Sequence, residues 1–274
     1  MYKRILTIQD VSCVGQCSLT VALPILSACG LETAVIPSAV LSTHTAGFSG
    51  YTFRDLTEDM PAILAHWEKE NLTFDSIYTG YLGSTEQIDY VKAIADSRLK
   101  QGGKLIVDPA MADNGKLYPA FDQAYVDAMK TLCAKADVLL PNITEACFLT
   151  DFEYKETYDE AYILDLCKAL FALSGKDIVL TGVGYEAGAT GVVTFDGADM
   201  RYYKHRKIAN GCHGTGDVYA SAFVGALESD QSLYNAAKTA ADYTLRCIEY
   251  TQGDESHWYG VKFEPVLKEL IEML

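Results

Sequence analysis

The sequence predicts an α/β fold with a central, mostly parallel β-sheet covered by helices on both faces. Strand-like runs alternate with helical periodicity along nearly the whole chain, as in "KLIVDPAM" followed by "FDQAYVDAMKTLCAKA". The apolar strands "LIVD" and "IVLTG" lack an in–out alternation, which suits strands buried on both sides. No linker, low-complexity segment or repeat divides the 274 residues, so residues 1–274 read as one domain.

The elements follow in order. "RILTIQ" is a strand leading to a helix around "CSLTVALPILSAC", and "ETAVIPSAV" is the next strand. "FDSIYTGYL" leads to "STEQIDYVKAIADSRLK", an amphipathic helix opened by Ser84 with glutamine three residues on. "KLIVDPAM" precedes a polar loop and the helix "FDQAYVDAMKTLCAKA", and "DVLLPN" leads to "ITEACFLT". "DIVLTGVG" is followed by "GATGVVTFDG" and "MRYYKHRKI", which read as antiparallel additions. Three helices close the chain, around Gly216–Leu227, Leu233–Tyr250 and Phe263–Met273.

Composition excludes several function classes. A formal charge of −15 repels nucleic acid and anionic lipid, so neither is an expected partner. No apolar run is long enough to cross a membrane, and "MYKRILTIQD" enters a strand at once without a signal-like core; a cytoplasmic location is expected. The eight cysteines are scattered with no C-x-x-C pair, the pattern of reduced thiols.

In a parallel sheet, ligands bind beyond the carboxyl ends of the strands. The segments expected there are Asp10, "STHTAGF", "TGYLG", "DPAMADNGK", "PNITE", "TGVG" and "GCHGTGD". The last is the most informative. Gly214, Thr215 and Gly216 open a helix, so their backbone amides form an anion hole. Asp217 follows directly. A carboxylate beside bound phosphate is repelled unless it has work there, and accepting a proton from an attacking hydroxyl is such work. The competing reading is a plain loop-to-helix turn capped by Thr215 or Asp217.

"GTGD" opening a helix near the end of an alternating α/β body resembles the ribokinase superfamily. "TIQDVSCVG", "STHTAGFSG", "TGYLGS", "VDPAMAD", "PNITEACFL" and "VLTG" resemble, in order, its pyridoxal/pyridoxine/pyridoxamine kinase branch. Hydroxymethylpyrimidine kinases are similar too and share "CHGTG", although they commonly carry cysteine at the position of Asp217.

The resemblance implies a ribokinase-like fold, ATP as phosphoryl donor, Mg²⁺ and K⁺ as cofactors, a B6 vitamer as acceptor and a homodimer. It assigns Asp217 as catalytic base and Gly214, Thr215 and Gly216 as anion hole. Asp10, Thr45 and Tyr81 fall where the family holds the pyridine ring, with Asp217 beside the acceptor. Asp108, Asn142, Glu145 and Thr181 fall on the nucleotide side with Gly214 and Gly216, and Asp108 and Glu145 are the implied metal residues. Asn142 and Glu145 also match a capping box, and both roles can coexist. "AMADNGKLYPAF" matches a flap over ATP, with Asp113 and Tyr118 on it. His44 is expected to shape the pocket or to be structural, and the adenine is expected near Ile208, Val218 and Ala241. Many pyridoxal kinases carry serine where this chain has Asp10. A charged oxygen there suits a cationic acceptor, whereas the alternative is a loop-capping role through Ser12 or Cys13. Competing functions are a hydroxymethylpyrimidine kinase, a sugar kinase and a non-catalytic vitamer-binding protein.

Overall fold

The computed structural model describes residues 2–208 and 212–274. The chain runs β1 (Arg4–Ser12), α1 (Leu19–Ala28), β2 (Glu32–Leu41), β3 (Phe53–Asp55), α2 (Met60–Lys69), β4 (Phe74–Thr79), α3 (Thr85–Arg98) and β5 (Leu99–Val107). It continues through a short hairpin, β6 (Ala112–Asp113) and β7 (Lys116–Leu117), then α4 (Gln123–Cys133), β8 (Val138–Leu139), α5 (Ile143–Thr150), α6 (Glu160–Ser174) and β9 (Asp177–Thr181). It ends with β10 (Ala189–Phe195), β11 (Met200–Arg206), α7 (Thr215–Glu228), α8 (Leu233–Thr251) and α9 (Leu267–Met273).

The main sheet has the order β11-β10-β9-β8-β5-β4-β1-β2-β3. β2, β1, β4, β5, β8 and β9 are mutually parallel, while β3, β10 and β11 add antiparallel edges. The expected fold is therefore present, with β10 and β11 as the antiparallel additions. Residues of α2 to α6 pack on one face of the sheet, around Ile77, Val107 and Leu139. Those of α1, α7, α8 and α9 pack on the other, around Ile5, Tyr78 and Ile106. This two-sided cover is why the central strands read as continuous apolar runs.

Two helices lie in segments to which the sequence reading gave no element. In α2 only Met60 is buried, so no apolar stripe marks it. In α6 apolar side chains occur on most of its circumference, and Asp159 caps it by accepting from the Tyr162 amide. The expected cap of α3 is present, since Ser84 Oγ accepts from the Gln87 amide at 3.2 Å. The Gln87 side chain is turned inward, where it accepts from Gly83 N and donates to Ser38 O and Thr57 Oγ1.

β1 lies between β2 and β4, so the chain leaves it in one direction and returns on its other side. That switch point opens a crevice at the carboxyl ends of the strands. A bulge accompanies it, because two steps from Gln9 to Val11 face three from Pro37 to Val40. Asp10 stands at this irregularity.

α7 passes from the crevice into the core, and nearly every residue from Val218 to Ala226 is buried. Phe223 is fully buried between α7 and its neighbours. Phe223→Ala is expected to lower stability by about 3–5 kcal/mol through lost burial and the cavity left behind. Urea unfolding checks this, and a loss under about 1 kcal/mol would show that α7 is not anchored there.

Candidate active site

The turn that opens α7 is the most constrained part of the crevice. Gly214 is the residue before α7 and has φ of 78°, a left-handed conformation that glycine adopts without strain. A side chain there would also overlap the Gln16 carbonyl. No side chain caps α7, and Thr215 Oγ1 instead donates to Cys212 O at 3.3 Å. The first-turn amides of Thr215 and Gly216 therefore have no intrahelical acceptor and lie at the positive end of the helix dipole, while that of Asp217 meets its own carboxylate. Thr215 therefore does not cap the turn, and the amides of Thr215 and Gly216 remain available as donors. Asn210 and Gly211, which begin the "NGCHGTGD" stretch, lie outside the described residues.

Asp217 projects from that first turn and is half-buried, with its carboxyl enclosed. Burial raises its pKa to about 7, the Asp10 charge adds to the rise, and the Ser18 amide and Cys17 thiol oppose it. Ser18 has φ of 55°, uncommon for a residue with a side chain, and this turn aims its backbone at the carboxylate. Cys17 and Ser18 escaped the sequence reading. Ser18 precedes α1, and its side chain makes no cap bond.

A second acidic group lies on the nucleotide side of the expected site. Asp108 directly follows β5, and its Oδ1 accepts from the Ala110 amide at 3.1 Å. Burial and the charges of Glu145 and Asp217 push its carboxyl well above the usual range. Glu145 is 2% exposed. Its Oε1 accepts from Met111 N and its Oε2 from Asn142 N, both at 2.9 Å. Asn142 Oδ1 in turn accepts from Glu145 N at 2.9 Å, completing the capping box of α5. Asn142 Nδ2 donates to Ala112 O at 2.8 Å, fixing the loop after β5. Burial raises Glu145 to about 7.

Thr181 ends β9 beside Asn142, its amide and hydroxyl both on Pro141 O. Asp113 lies exposed on the β6–β7 hairpin, which Gly115 ties to α5 through Thr144 Oγ1 at 3.0 Å. Tyr118 follows the hairpin, and its phenol is raised by burial and by Glu145, Asp108, Asp113 and Asp217. Asp108, Glu145, Asp217 and Tyr118 are thus neighbours in space though distant in sequence.

On the other side, Asp10 is 5% exposed and its Oδ2 accepts from the Ser12 hydroxyl at 3.0 Å. Its carboxyl is raised by burial, against which Ser18, Ser12 and the nearby His44 act. Tyr81, after β4, is half-buried against Phe121, and burial with the Asp10 charge raises its phenol to about 12. Thr45 is exposed on the loop after β2. His44 beside it is buried and hydrogen-bonded through both ring nitrogens. Ile208 is half-buried, whereas Val218 and Ala241 are at most 1% exposed. The last two are core residues of the α7–α8 packing, which corrects the expectation that they line an adenine pocket.

Asp108 and Glu145 present the oxygen donors that suit Mg²⁺, an ion that keeps most of its waters and takes few carboxylates. Among the described residues no group of three or more His, Cys, Asp or Glu could hold a metal by itself. No helix among them is long and apolar enough to cross a membrane.

Known proteins carry the same architecture, and some share about a third of the residues. A candidate phosphomethylpyrimidine kinase of Bacteroides thetaiotaomicron, also crystallised with pyridoxal, superposes with a TM-score of 0.94 at 36% identity, over 98% of this chain and 94% of that one. Pyridoxal kinase of Lactobacillus plantarum superposes at 0.91 and 34% identity, over 99% and 97%. Hydroxymethylpyrimidine/phosphomethylpyrimidine kinase of Haemophilus influenzae is 28% identical over 69% of this chain and 73% of its own. The chain spans about half, 51%, of the thiamine biosynthetic bifunctional enzyme TH1 of Arabidopsis thaliana, to which it is 24% identical. The phosphomethylpyrimidine kinase family model matches residues 26–261, and with these neighbours the chain belongs to that family of ribokinase-like kinases, which embraces both pyridoxal kinases and hydroxymethylpyrimidine kinases.

Proposed function

We propose that this kinase transfers the γ-phosphoryl of ATP to the 5′-hydroxymethyl group of a B6 vitamer: pyridoxal, pyridoxine or pyridoxamine. The observation that carries the reading is Asp217, a carboxylate raised to about 7 on the first turn of a helix that no side chain caps. The 36% and 34% identical neighbours, one crystallised with pyridoxal and the other a pyridoxal kinase, support the acceptor class.

In this reading the amides of Thr215 and Gly216 hold the γ-phosphoryl oxygens, and Gly214 allows the backbone to come close. Asp217 accepts the proton of the acceptor hydroxyl as its oxygen attacks phosphorus. A base with pKa near the working pH is about half ionised and still basic enough to take that proton. The developing charge on the transferred group meets dipoles already oriented towards it. Asn142 and Thr181 border the nucleotide phosphates, and Asp108 and Glu145 would hold Mg²⁺ through its waters. When bound, that ion neutralises phosphate charge that the acidic site would otherwise repel. Asp10, Tyr81 and Thr45 surround the acceptor ring. Asp10, engaged by the Ser12 and Ser18 hydroxyls, still has acceptor capacity for a protonated ring nitrogen or an ammonium group. The chain acts as a single domain, the family resemblance implies a homodimer, and the composition implies a cytoplasmic location.

A second reading is phosphorylation of hydroxymethylpyrimidine, favoured by the family model and the Haemophilus influenzae relative. Purified protein with ATP and Mg²⁺, offered each vitamer and hydroxymethylpyrimidine, separates the two. Faster turnover of hydroxymethylpyrimidine than of every vitamer would overturn the proposal. Chelation of Mg²⁺ is expected to abolish transfer, and K⁺ to raise it.

Asp217→Asn is expected to lower kcat by about 10²–10⁴-fold while nucleotide binding persists. In the wild type only ionised Asp217 can take the proton, so kcat should rise as pH increases through about 7 and level off above it. A flat pH profile, or a variant within a few-fold of wild type, would remove Asp217 from that role.

Asp108 and its neighbours also set a pH dependence of stability. Their folded pKa values lie above the unfolded ones, so folding is favoured most at low pH and loses stability as pH rises through about 7, where Asp217 and Glu145 ionise. Asp108→Asn keeps the oxygen that accepts from Ala110 and removes one charge. It is expected to raise Tm at pH 8, to raise it less at pH 5.5, and to lower activity. An equal or negative shift in Tm at pH 8 would contradict this.

A further inference from the structure

The acceptor loop and the anion loop are joined by a third segment, residues 254–261, which forms a short 3₁₀ turn over Glu255–His257 and crosses both. On the acceptor side the key is His44. The Ala46 amide donates to its Nδ1 at 3.1 Å, so the ring proton sits on Nε2, which donates to the Tyr259 carbonyl at 2.5 Å. Phe48 of the same loop packs on Trp258 with ring centroids 4.7 Å apart. On the anion side the Val261 amide donates to the His213 carbonyl at 3.0 Å, one residue before Gly214. The segment is itself anchored to α8, since the Lys262 amide donates to Thr251 Oγ1 at 2.8 Å.

The junction has almost no slack. A methyl group on Gly47 would lie 2.8 Å from the Trp258 ring, and one on Gly260 would lie 2.6 Å from the Gln16 side chain. One on Gly15 would overlap the His44 ring, and one on Gly214 the Gln16 carbonyl. Four loops, after β1, after β2, before α7 and after α8, therefore meet as a single interlocked body. Two of them carry the opposite halves of the reaction.

We infer that residues 254–261 are a strap that fixes the acceptor loop against the anion loop, with His44 as the positioning residue that locks it. The inference rests on the kinase reading above. Its consequence is chemical. If the strap loosens, the acceptor hydroxyl is misplaced by a fraction of an ångström to an ångström, and in-line attack suffers far more than binding. Water can then take the place of the hydroxyl: its oxygen attacks the γ-phosphorus, the bond to ADP breaks, and its proton leaves, giving ADP and inorganic phosphate. The strap thus determines how much ATP is spent per acceptor phosphorylated.

Three variants test it: His44→Leu removes both ring hydrogen bonds, His44→Gln retains a donor for Tyr259, and Trp258→Ala loosens the strap at a side chain that is 49% exposed. The readouts are kcat and KM for acceptor and ATP, and ADP formed per phosphorylated acceptor. For His44→Leu the expectation is a fall in kcat of about 10–100-fold, KM for ATP within about two-fold, and an ADP ratio above one. His44→Gln should recover most of the coupling, and Trp258→Ala should raise the ratio more mildly. A ratio of one in all folded variants overturns the strap, whether or not kcat falls, because a merely structural role lowers active protein without uncoupling it. Should His44→Leu fail to fold, the other two variants decide on the same criterion. A wild type that phosphorylates no acceptor overturns the kinase reading and this inference together, whereas an active wild type with fully coupled variants overturns this inference alone.

Discussion

Four carboxylates, Asp10, Asp108, Glu145 and Asp217, converge at the carboxyl ends of the strands, and among the described residues no lysine or arginine forms an ion pair with any of them. Like charges in a desolvated crevice oppose folding unless their oxygens find donors. Here the donors are mainly backbone. Glu145 takes the Met111 and Asn142 amides, Asp108 takes that of Ala110, and the Ser18 amide acts on Asp217. Aiming those amides bends the chain into left-handed turns at Ser18 and Ala110, with φ of 55° and 42°. The loops around the site are shaped by this need, and local strain at the loop turns is tolerated because the sheet beneath holds their ends.

The same arrangement gives the site its chemistry. Carboxyls held near 7 can exchange protons at physiological pH, which ordinary exposed carboxyls cannot do effectively. In the proposed function, anion binding falls to groups that carry no full charge, the first-turn amides of α7. Their orientation is secured by a helix buried along almost its entire length. A chain with net charge −15 can accommodate a polyphosphate only where such dipoles and added cations outweigh the surrounding field.

Much of the site was legible because its residues sit at topologically forced places. Asp108, Thr181 and Asn142 follow or end parallel strands, and Gly214 to Asp217 open a helix, so pattern alone put them on one edge. Cys17 and Ser18 were not legible, because their proximity to Asp217 depends on how the loop after β1 folds against α7. Val218 and Ala241 were misread as pocket residues because apolar residues near a nucleotide loop look the same in sequence whether they face a ligand or the core. α2 and α6 went unassigned for a related reason: the first buries too little to show a stripe, and the second shows apolar side chains around most of its circumference.

By itself, then, the sequence determined the layering of the fold, the order of the loops that meet at the crevice, and the presence of a glycine-rich turn that opens a helix and is followed by a carboxylate. These depend on local periodicity and on the rule that parallel strands end on one side. Only the tertiary structure decided the electrostatic state of Asp217, the double engagement of Glu145, the core burial of Val218 and Ala241, and the His44–Tyr259 link across the site. Each arises between segments far apart in the chain, where desolvation and hydrogen-bond geometry depend on packing that periodicity does not encode.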